Sequence, residues 1–358
     1  MKDLKRGAVH LIGDLKENMV VKFGIDPTAC DVHLGHIVMF KKLRDFASAG
    51  HQVKIIIGNF TAAIGDPSGR DKTRPILDMK EIQKNHGELL GEIIFFFHEP
   101  SAVWENVEIL ENLSWFGDMK PARLIEAMSS FTVAQMLERN AFSERFKNQT
   151  PISLQEFVYP VLQGLDSVEL KADLELGGTD QLFNLTAGRK IMEMWCKDRE
   201  PQSVMTLPLL VGTDGVNKMS KTLNNHISVR EPKSVMRSKI INIPDTLIEN
   251  WMTLLTDIPE KEIKKLLKDP IKAKIKLADD IIKLLKKEDE ANTTIEVEAK
   301  PLWSIVKELM DVSGSEARRL IQQGAVSFDG IKNTNENWEV QTGKLKVGKH
   351  FEVQLNVK

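Results

Sequence analysis

The chain has 358 residues, of which 42% are hydrophobic and 28% are charged, and its formal net charge is −2. These values are typical of a globular protein with a full core, and the length predicts two or three domains. No run of eighteen apolar residues occurs, so we expect a cytoplasmic protein without a membrane segment. Two distant cysteines, Cys30 and Cys196, match no metal spacing and predict reduced thiols. Residues 1–19 predict a short amphipathic helix and a turn.

The first strong pattern is a strand, a loop and a helix between residues 20 and 49. Residues 20–25 are mostly apolar, and apolar residues then recur at helical spacing. Such units build parallel sheets, in which ligands bind beyond the carboxyl ends of the strands and helix N-termini attract phosphate. His33 and His36 stand at the predicted helix start, with Gly35 between them. The pair suits a helix cap, a metal site or a nucleotide site, and metal is disfavoured because no third ligand lies nearby.

A second buried strand is predicted at residues 53–58. The loop at residues 62–70 is rich in turn-forming residues, and its Asp66, which precedes a proline, is by itself a turn former. Residues 78–150 predict mainly helices, with a possible strand at residues 107–110. This order predicts an α/β fold with a parallel sheet.

Polar residues share one face of a helix predicted near residues 156–166. Tyr159, Gln163 and Asp166 lie at positions i, i+4 and i+7 of this otherwise apolar segment. Buried polar side chains require partners, so the face indicates either a polar pocket or a partly exposed helix.

Two more loops follow predicted strands. A strand predicted from residue 173 is followed by a turn at the glycine pair of residues 177–178, and a turn-rich loop follows the apolar residues 205–211. In that loop Lys218 and Lys221 flank a small serine. Such lysines suit a clamp that neutralises a polyphosphate, although a lysine pair alone is commonly a solvated surface.

The sequences His-Leu-Gly-His at residues 33–36 and Lys-Met-Ser-Lys at residues 218–221 resemble, in this order, the two signatures of the class I aminoacyl-tRNA synthetases. More closely, the chain resembles the bacterial tyrosyl-tRNA synthetases over nearly its whole length. The resemblance implies a Rossmann-like catalytic domain that activates L-tyrosine with ATP and Mg²⁺ and transfers it to tRNA(Tyr). It also implies a homodimer without a protein-bound metal.

The resemblance assigns roles to the residues that match. The predicted catalytic residues, which would stabilise the pentacoordinate phosphate and the departing pyrophosphate, are His33, His36, Lys218, Lys221 and Thr222. The predicted ATP-binding residues are Asp26, Gly35, Arg70, Arg74, Gly178, Asp180 and Lys221. The predicted substrate-binding residues are Gly24, Asp66, Tyr159, Gln163, Asp166 and Gln181. Asp166 would accept a hydrogen bond from the substrate phenol and be left unpaired by phenylalanine, a discrimination for which this family is the standard example.

The same resemblance predicts the domain order. Residues 1–224 would form the catalytic domain, with a dimer-interface insertion at about residues 115–160. Residues 225–287 would form a Lys-rich helical domain facing the anticodon region of tRNA, and residues 288–300 a linker. Residues 301–358 resemble the alpha-L RNA-binding domain, a small α+β fold. Arg318 and Arg319 match basic positions that face RNA in that domain, whereas the two residues by themselves are equally consistent with ordinary surface charge.

Three positions depart from the common family pattern. Lys22 stands where many members carry a tyrosine that assists phenol recognition, Leu165 replaces a frequent aromatic residue, and Arg70 replaces a lysine. The first two leave the strictness of tyrosine selection open. Two alternatives therefore remain: a class I synthetase for another aromatic amino acid, and a catalytically silent relative that binds RNA.

Overall fold

The computed structural model describes residues 3–29, 31–68, 77–98, 101–285, 294–310, 312–348 and 351–358. The chain divides into two compact units, Met1–Leu209 and Leu210–Lys358. This division precedes the Lys218–Lys221 loop, whereas the predicted catalytic domain extends to residue 224. Among the described helices, none combines the length and the apolar character needed to cross a membrane.

A six-stranded sheet forms the centre of the first unit. Its strands are β1 His10–Ile12, β2 Val20–Ile25, β3 Gln52–Ile57, β4 Val107–Glu111, β5 Leu174–Gly178 and β6 Ser203–Leu207. The spatial order is β1-β6-β5-β2-β3-β4, and every pair except β1–β6 is parallel. The chain therefore winds from β2 outward in one direction and continues in the other direction at β5. Ligands of such sheets bind at this reversal, beyond the carboxyl ends of the strands.

Residues 1–19 do not form the predicted amphipathic helix. Their described part contains β1, which pairs antiparallel with the edge of β6, and His10 Nδ1 lies 2.8 Å from the Thr206 hydroxyl. Pairing with β6 satisfies backbone groups that an open sheet edge would leave without partners. A three-residue strand is too short to show a hydrophobic period, which is why the sequence pattern missed it.

Helices cover the sheet of the first unit. They are α1 Leu34–Ser48, α2 Thr61–Ile64, α3 Met79–Phe97, α4 Ser101–Trp104, α5 Leu113–Phe116, α6 Pro121–Met128, α7 Val133–Leu137, α8 Asn140–Lys147, α9 Leu154–Leu170 and α10 Leu182–Trp195. The predicted strands and long helices from residue 20 onward are confirmed within one to four residues at their ends.

Helix α9 carries the predicted polar face. A capping box at its N-terminus and close packing on α10 fix the position of this helix. It begins at Ser153, where Ser153 and Glu156 form a capping box. It packs closely on α10 because Gly164 has no side chain. A Cβ at Gly164 would lie 2.6 Å from Ile191 Cδ1 and 3.1 Å from Gly188 Cα. This close contact fixes the position of α9 relative to α10.

The second unit combines helices with a five-stranded sheet. Its helices are α11 Lys233–Ile241, α12 Ile248–Leu255, α13 Glu260–Leu266, α14 Pro270–Leu284, α15 Leu302–Met310 and α16 Gly314–Gln322. Its strands are β7 Thr294–Val297, β8 Val326–Phe328, β9 Ile331–Lys332, β10 Gly343–Val347 and β11 Phe351–Val357, in the order β7-β11-β10-β8-β9.

Residues 288–300, which the sequence predicts as a linker, contain a strand. Strand β7 lies within residues 288–300 and pairs in parallel with β11, so this stretch belongs to the sheet. In addition, Val235 of α11 packs into the same core as Leu302, Ile321 and Leu355. The helices before the linker and the sheet after it therefore share one core. The charged composition of the stretch concealed a strand at the edge of the sheet.

Candidate active site

The loops after β2, β3 and β5 meet at the carboxyl edge of the first sheet. Gly24, near the end of β2, is exposed, and a Cβ there would enter open space. Gly58, after β3, has no such room, because a Cβ would lie 2.1 Å from Asp26 Oδ1. Glycine at position 58 thus lets Asp26 lie directly against the neighbouring strand.

His33 and His36 together cap the N-terminus of α1. The Gly35 N–H donates to His33 Nδ1 at 3.1 Å, and the His33 N–H donates to His36 Nδ1 at 3.2 Å. The two rings lie 4.1 Å apart. Because Nδ1 is an acceptor in both rings, the neutral form of each carries its proton on Nε2. The helix-cap interpretation and the nucleotide interpretation are compatible, since the capping bonds use only Nδ1 of each ring.

Burial keeps His36 uncharged at neutral pH. It lowers the pKa of His36 to about 4, because the imidazolium ion would lose its hydration. A neutral ring at a helix N-terminus can donate one hydrogen bond to an anion, while the helix itself supplies a partial positive charge.

Asp26 and Tyr159 are joined by a hydrogen bond. The Tyr159 hydroxyl donates to Asp26 Oδ2 at 2.9 Å, and the Thr61 hydroxyl donates to Asp26 Oδ1 at 2.7 Å. Burial raises the pKa of Tyr159 well above its ordinary value, and the nearby Asp26 carboxylate raises it further. The phenol therefore keeps its proton and remains the donor. A residue predicted to bind ATP thus contacts a residue predicted to bind the amino acid.

Asp66 and Gln181 are also brought together. Gln181 Nε2 donates to Asp66 Oδ2 at 2.7 Å, while the backbone N–H and the hydroxyl of Ser68 donate to Asp66 Oδ1 at 2.9 and 2.7 Å. The buried Arg139 donates to the Ser68 hydroxyl and lies 3.8 Å from Asp66 Oδ1. Asn184 Nδ2 donates to Gln181 Oε1 at 2.9 Å. These contacts hold a carboxylate and an amide side by side at the site.

Asp166 is a buried acceptor. Trp115 Nε1 donates to its Oδ1 at 2.9 Å, and Asn112 Nδ2 lies 3.5 Å from its Oδ2. Burial raises the pKa of Asp166 to about 7, although the Lys22 charge and both donors act in the opposite direction. A carboxylate in this state is stabilised by any further donor, such as a phenol.

Lys22 does not line the pocket. Its side chain is completely buried and forms an ion pair with Glu175 at 2.9 Å. Glu175 also accepts a hydrogen bond from Gln163 Nε2 at 3.0 Å. Lys22, one of the three residues that depart from the family pattern, therefore lies behind the predicted substrate-binding face of α9.

The predicted clamp loop, residues 218–222, belongs to the second unit. The Ser220 N–H donates to Asn225 Oδ1 at 2.8 Å, and Asn225 Nδ2 donates to the Lys218 carbonyl at 3.1 Å. Asn225 is buried, so it fixes the loop backbone from inside. The side chains that the loop presents on its surface are those of Lys218, Lys221 and Thr222.

The remaining predicted residues divide into two groups. Gly178 ends β5 beside Asp180, and a Cβ on Gly178 would lie 2.7 Å from Asp180 Oδ1 and 2.9 Å from Leu209 Cδ2. The loop therefore closes tightly at this glycine. Arg70 and Arg74 lie outside the described residues.

The two predicted RNA-facing arginines differ in their surroundings. The Arg318 guanidinium stacks 3.9 Å from the centre of the Trp303 ring and pairs with Glu336 at 3.4 Å. Arg319 pairs with Glu316 and is the more exposed of the two, with 62% of its side chain accessible. Arg318 therefore has packing contacts within its own unit.

Sequence reasoning missed several polar residues that complete the site. Asn112 lies between β4 and α5, and Trp115 lies within α5. Arg139 and Asn184 lie far from each other in sequence, and Glu175 lies inside β5. The available signal was a polar residue inside an apolar strand, as at Lys22 and Glu175. The remaining residues come together only in the folded chain, and no local sequence pattern identifies them: Asn112, Trp115, Arg139 and Asn184. Among the described residues, no group of three or more His, Cys, Asp or Glu could hold a metal ion.

A largely parallel sheet whose carboxyl edge carries a histidine-capped helix and buried polar side chains is typical of nucleotide-binding α/β proteins. Residues 14–303 match the family described as tRNA synthetases class I (W and Y), and the chain belongs to this family.

Within this family, the chain is similar to tyrosine–tRNA ligases over almost its full length. The tyrosine–tRNA ligase of Aquifex aeolicus is 41% identical over 384 aligned positions, covering 98% of this chain and 96% of that enzyme. The tyrosine–tRNA ligase of Thermotoga maritima is 40% identical over 388 positions, covering 98% and 95%. The predicted membership of the class I synthetases is thus confirmed.

Solved structures confirm the fold class. The C-terminally truncated mitochondrial tyrosyl-tRNA synthetase of Aspergillus nidulans superposes with a TM-score of 0.65 at 22% identity, covering 80% of this chain and 89% of that chain. Tyrosyl-tRNA synthetase from Archaeoglobus fulgidus, complexed with L-tyrosine, superposes with a TM-score of 0.62 at 20% identity, covering 79% and 95%.

Proposed function

We propose that this chain is a tyrosine–tRNA ligase, which activates L-tyrosine with ATP to tyrosyl-adenylate and transfers the tyrosyl group to the 3′ end of tRNA(Tyr). The observation that carries the proposal is the similarity to tyrosine–tRNA ligases along almost the full length of both chains. The buried Asp166 acceptor supports the choice of tyrosine over tryptophan.

The activation step needs orientation and charge stabilisation rather than an enzyme nucleophile. An oxygen of the tyrosine carboxylate attacks the α-phosphorus of ATP, and the bond to the β-phosphate oxygen breaks to release pyrophosphate. His33 and His36 would donate from Nε2–H to the α-phosphate as negative charge accumulates there. Lys218, Lys221 and Thr222 are proposed to neutralise pyrophosphate, and Mg²⁺ would arrive with ATP.

The amino acid would be held by the polar pocket at the sheet edge. Asp166 would accept the phenol O–H, and Asp66, Tyr159 and Gln163 would surround the ammonium group. Gln181, held against Asp66 at 2.7 Å, would face the substrate carboxylate. The proposed ribose contacts are Gly178 and Asp180.

Exposed apolar and basic side chains support two proposed partners, a second copy of this chain and tRNA. The insertion at about residues 115–160 exposes large apolar side chains that suit a homodimer interface: Ile125, Val133, Phe146 and Leu154. The Lys-rich helices and the C-terminal sheet would bind tRNA through salt-sensitive phosphate contacts. We propose a cytoplasmic location because that is where tRNA is charged for bacterial translation.

The test is pyrophosphate exchange into ATP, measured separately with each of the twenty amino acids. We expect exchange with tyrosine and none with phenylalanine. Exchange driven by another amino acid would retain the chemistry and reject the specificity. Absence of exchange with every amino acid, together with retained tRNA binding, would favour the catalytically silent RNA-binding relative.

A further inference from the structure

A buried charged network lies behind the predicted substrate-binding face of α9. The Lys22 side chain is 0% exposed and that of Glu175 is 1% exposed. Lys22 Nζ donates to the Gln163 carbonyl at 2.6 Å, to the Ser167 hydroxyl at 2.7 Å and to Glu175 Oε1 at 2.9 Å. An ammonium group has three donors, so these three bonds use all of them. Lys22 has no donor left for a ligand.

Glu175 is equally well satisfied. Its Oε1 accepts from Lys22 and from Gln163 Nε2 at 3.0 Å, and its Oε2 accepts from the Ser167 hydroxyl at 2.9 Å and from Gln202 Nε2 at 3.1 Å. Each of its two oxygens thus accepts from two donors, and one of the four donors is a cation. As a carboxylate it can only accept hydrogen bonds.

This acceptor-only character determines which way the Gln163 amide turns. The nitrogen of the amide must face Glu175, because the oxygen would meet another acceptor there. Gln163 is itself partly exposed, and none of the described residues donates a hydrogen bond to its amide oxygen. The oxygen is therefore the atom left for a ligand that donates.

We propose that the Lys22–Glu175 ion pair is a positioning pair, which fixes the amide of Gln163 so that its oxygen accepts from the substrate ammonium group. Lys22 supplies the positive charge that offsets the buried Glu175 carboxylate. The inference rests on the proposed activation of tyrosine. It assigns Lys22 to the ammonium end of the substrate and gives it no part in contacting the phenol.

The test uses the double variant Lys22→Met/Glu175→Gln. It removes both charges together, so no unpaired ion remains buried, and it replaces the carboxylate with an amide that can donate or accept. The Gln163 amide can then turn either way. We expect the KM for tyrosine in pyrophosphate exchange to rise about tenfold with kcat nearly unchanged, because the ammonium contact is equal in the ground state and the transition state.

Two inhibitors of exchange separate the ends of the substrate. Tyramine keeps the ammonium and the phenol, whereas 3-(4-hydroxyphenyl)propanoate keeps the phenol and lacks the ammonium. In the double variant, the inhibition constant of tyramine should rise about tenfold and that of 3-(4-hydroxyphenyl)propanoate should not change. Equal weakening of both inhibitors, or a loss of discrimination against phenylalanine with tyramine unaffected, would overturn the proposal.

A matched control is the double variant Lys41→Met/Asp45→Asn. It removes another buried ion pair, at 3.2 Å within α1, and it should leave both inhibition constants unchanged. Thermal unfolding of both variants checks that they fold. If the unaltered enzyme shows no tyrosine-dependent exchange, the proposed function fails, whereas a failure confined to the inhibitor pattern rejects only the positioning role.

Discussion

Single residues at the site combine two demands that oppose each other. In its proposed role Asp166 must be buried to be left unpaired by phenylalanine, yet burial disfavours its charged form and raises its pKa to about 7. The two donors from Trp115 and Asn112 offset part of this cost. The proposed selectivity at this residue would thus be obtained at the expense of stability.

The cost should appear as a pH dependence of folding. The folded protein holds the Asp166 proton more tightly than the unfolded chain, in which an aspartate titrates near pH 4. The contribution of Asp166 to stability is therefore present below about pH 4 and is lost as the pH rises through about 7. Relative to Asp166→Asn, the ligand-free unaltered protein should lose about 2 kcal/mol of unfolding free energy between pH 5 and pH 7.

Urea unfolding of both proteins at several pH values measures this difference. Subtracting the variant removes the titration of all other groups. A difference that stays constant from pH 5 to pH 7 would contradict the raised pKa of Asp166.

His36 caps α1, and two substitutions separate this structural role from its proposed chemical role. His36→Ala removes both the cap acceptor and the Nε2–H donor, which should cost about 1 kcal/mol of stability and about 10²–10³-fold in the rate of activation. His36→Gln restores a capping residue at this helix position and should recover stability but not the rate.

Unfolding free energies and pyrophosphate exchange measure the two effects, and tRNA affinity should stay nearly unchanged in both variants. Recovery of the exchange rate in His36→Gln would assign the residue to capping alone.

At the scale of elements, the sequence predicted helices and strands whose apolar residues form a local pattern. It missed a short edge strand and the residues that come together only in the tertiary structure. Strands β2 and β3 and helices α1 and α9 were predictable because their apolar residues recur with a period of two or 3.6, or fill a short continuous run. Strand β7 was missed because a four-residue edge strand beside a charged stretch has no such period. Arg139 and Asn112 reach the site from distant elements, so only tertiary structure identifies them.

The α9–α10 contact offers a test of how firmly the site helix is held. Gly164→Ala introduces a methyl group 2.6 Å from Ile191 Cδ1, and such overpacking should destabilise the protein by about 1–3 kcal/mol. Gly87→Ala is the matched control, because it lies within α3 and its Cβ would meet open space. It should stabilise the protein by about 0.5–1 kcal/mol.

Thermal unfolding of the two alanine variants gives the comparison directly. We also expect Gly164→Ala to raise the KM for tyrosine, since α9 carries three of the predicted substrate-binding residues. Equal stability of the two variants would show that α10 moves away from α9 without cost.

At the scale of the whole molecule, amino-acid activation and tRNA binding are assigned largely to different parts of the chain. Arg319→Ala in the full chain should lower tRNA affinity a few-fold at low salt, with a smaller loss as the salt concentration rises, and should reduce the slope of log affinity against log salt by about 1. Tyrosine-dependent exchange should not change. Arg318→Ala should instead lower the stability of the protein, because it removes the stacking on Trp303.

Filter binding over a series of salt concentrations tests these expectations. If Arg319→Ala leaves the slope unchanged, the arginine does not contact phosphate. If Arg318→Ala matches Arg319→Ala in both stability and slope, the assignment of a packing role to Arg318 is wrong.

The core that Val235 shares with Leu302, Ile321 and Leu355 makes the last third of the chain one cooperative block. Local opening of the C-terminal sheet would expose the apolar face of α11, so amide protons in α11 and in β11 should exchange with solvent with similar protection. Deleting the terminal strands would then loosen the preceding helices as well. The helical region and the terminal sheet are neighbours in sequence with different compositions, yet we expect them to melt as a single structure because they share this core.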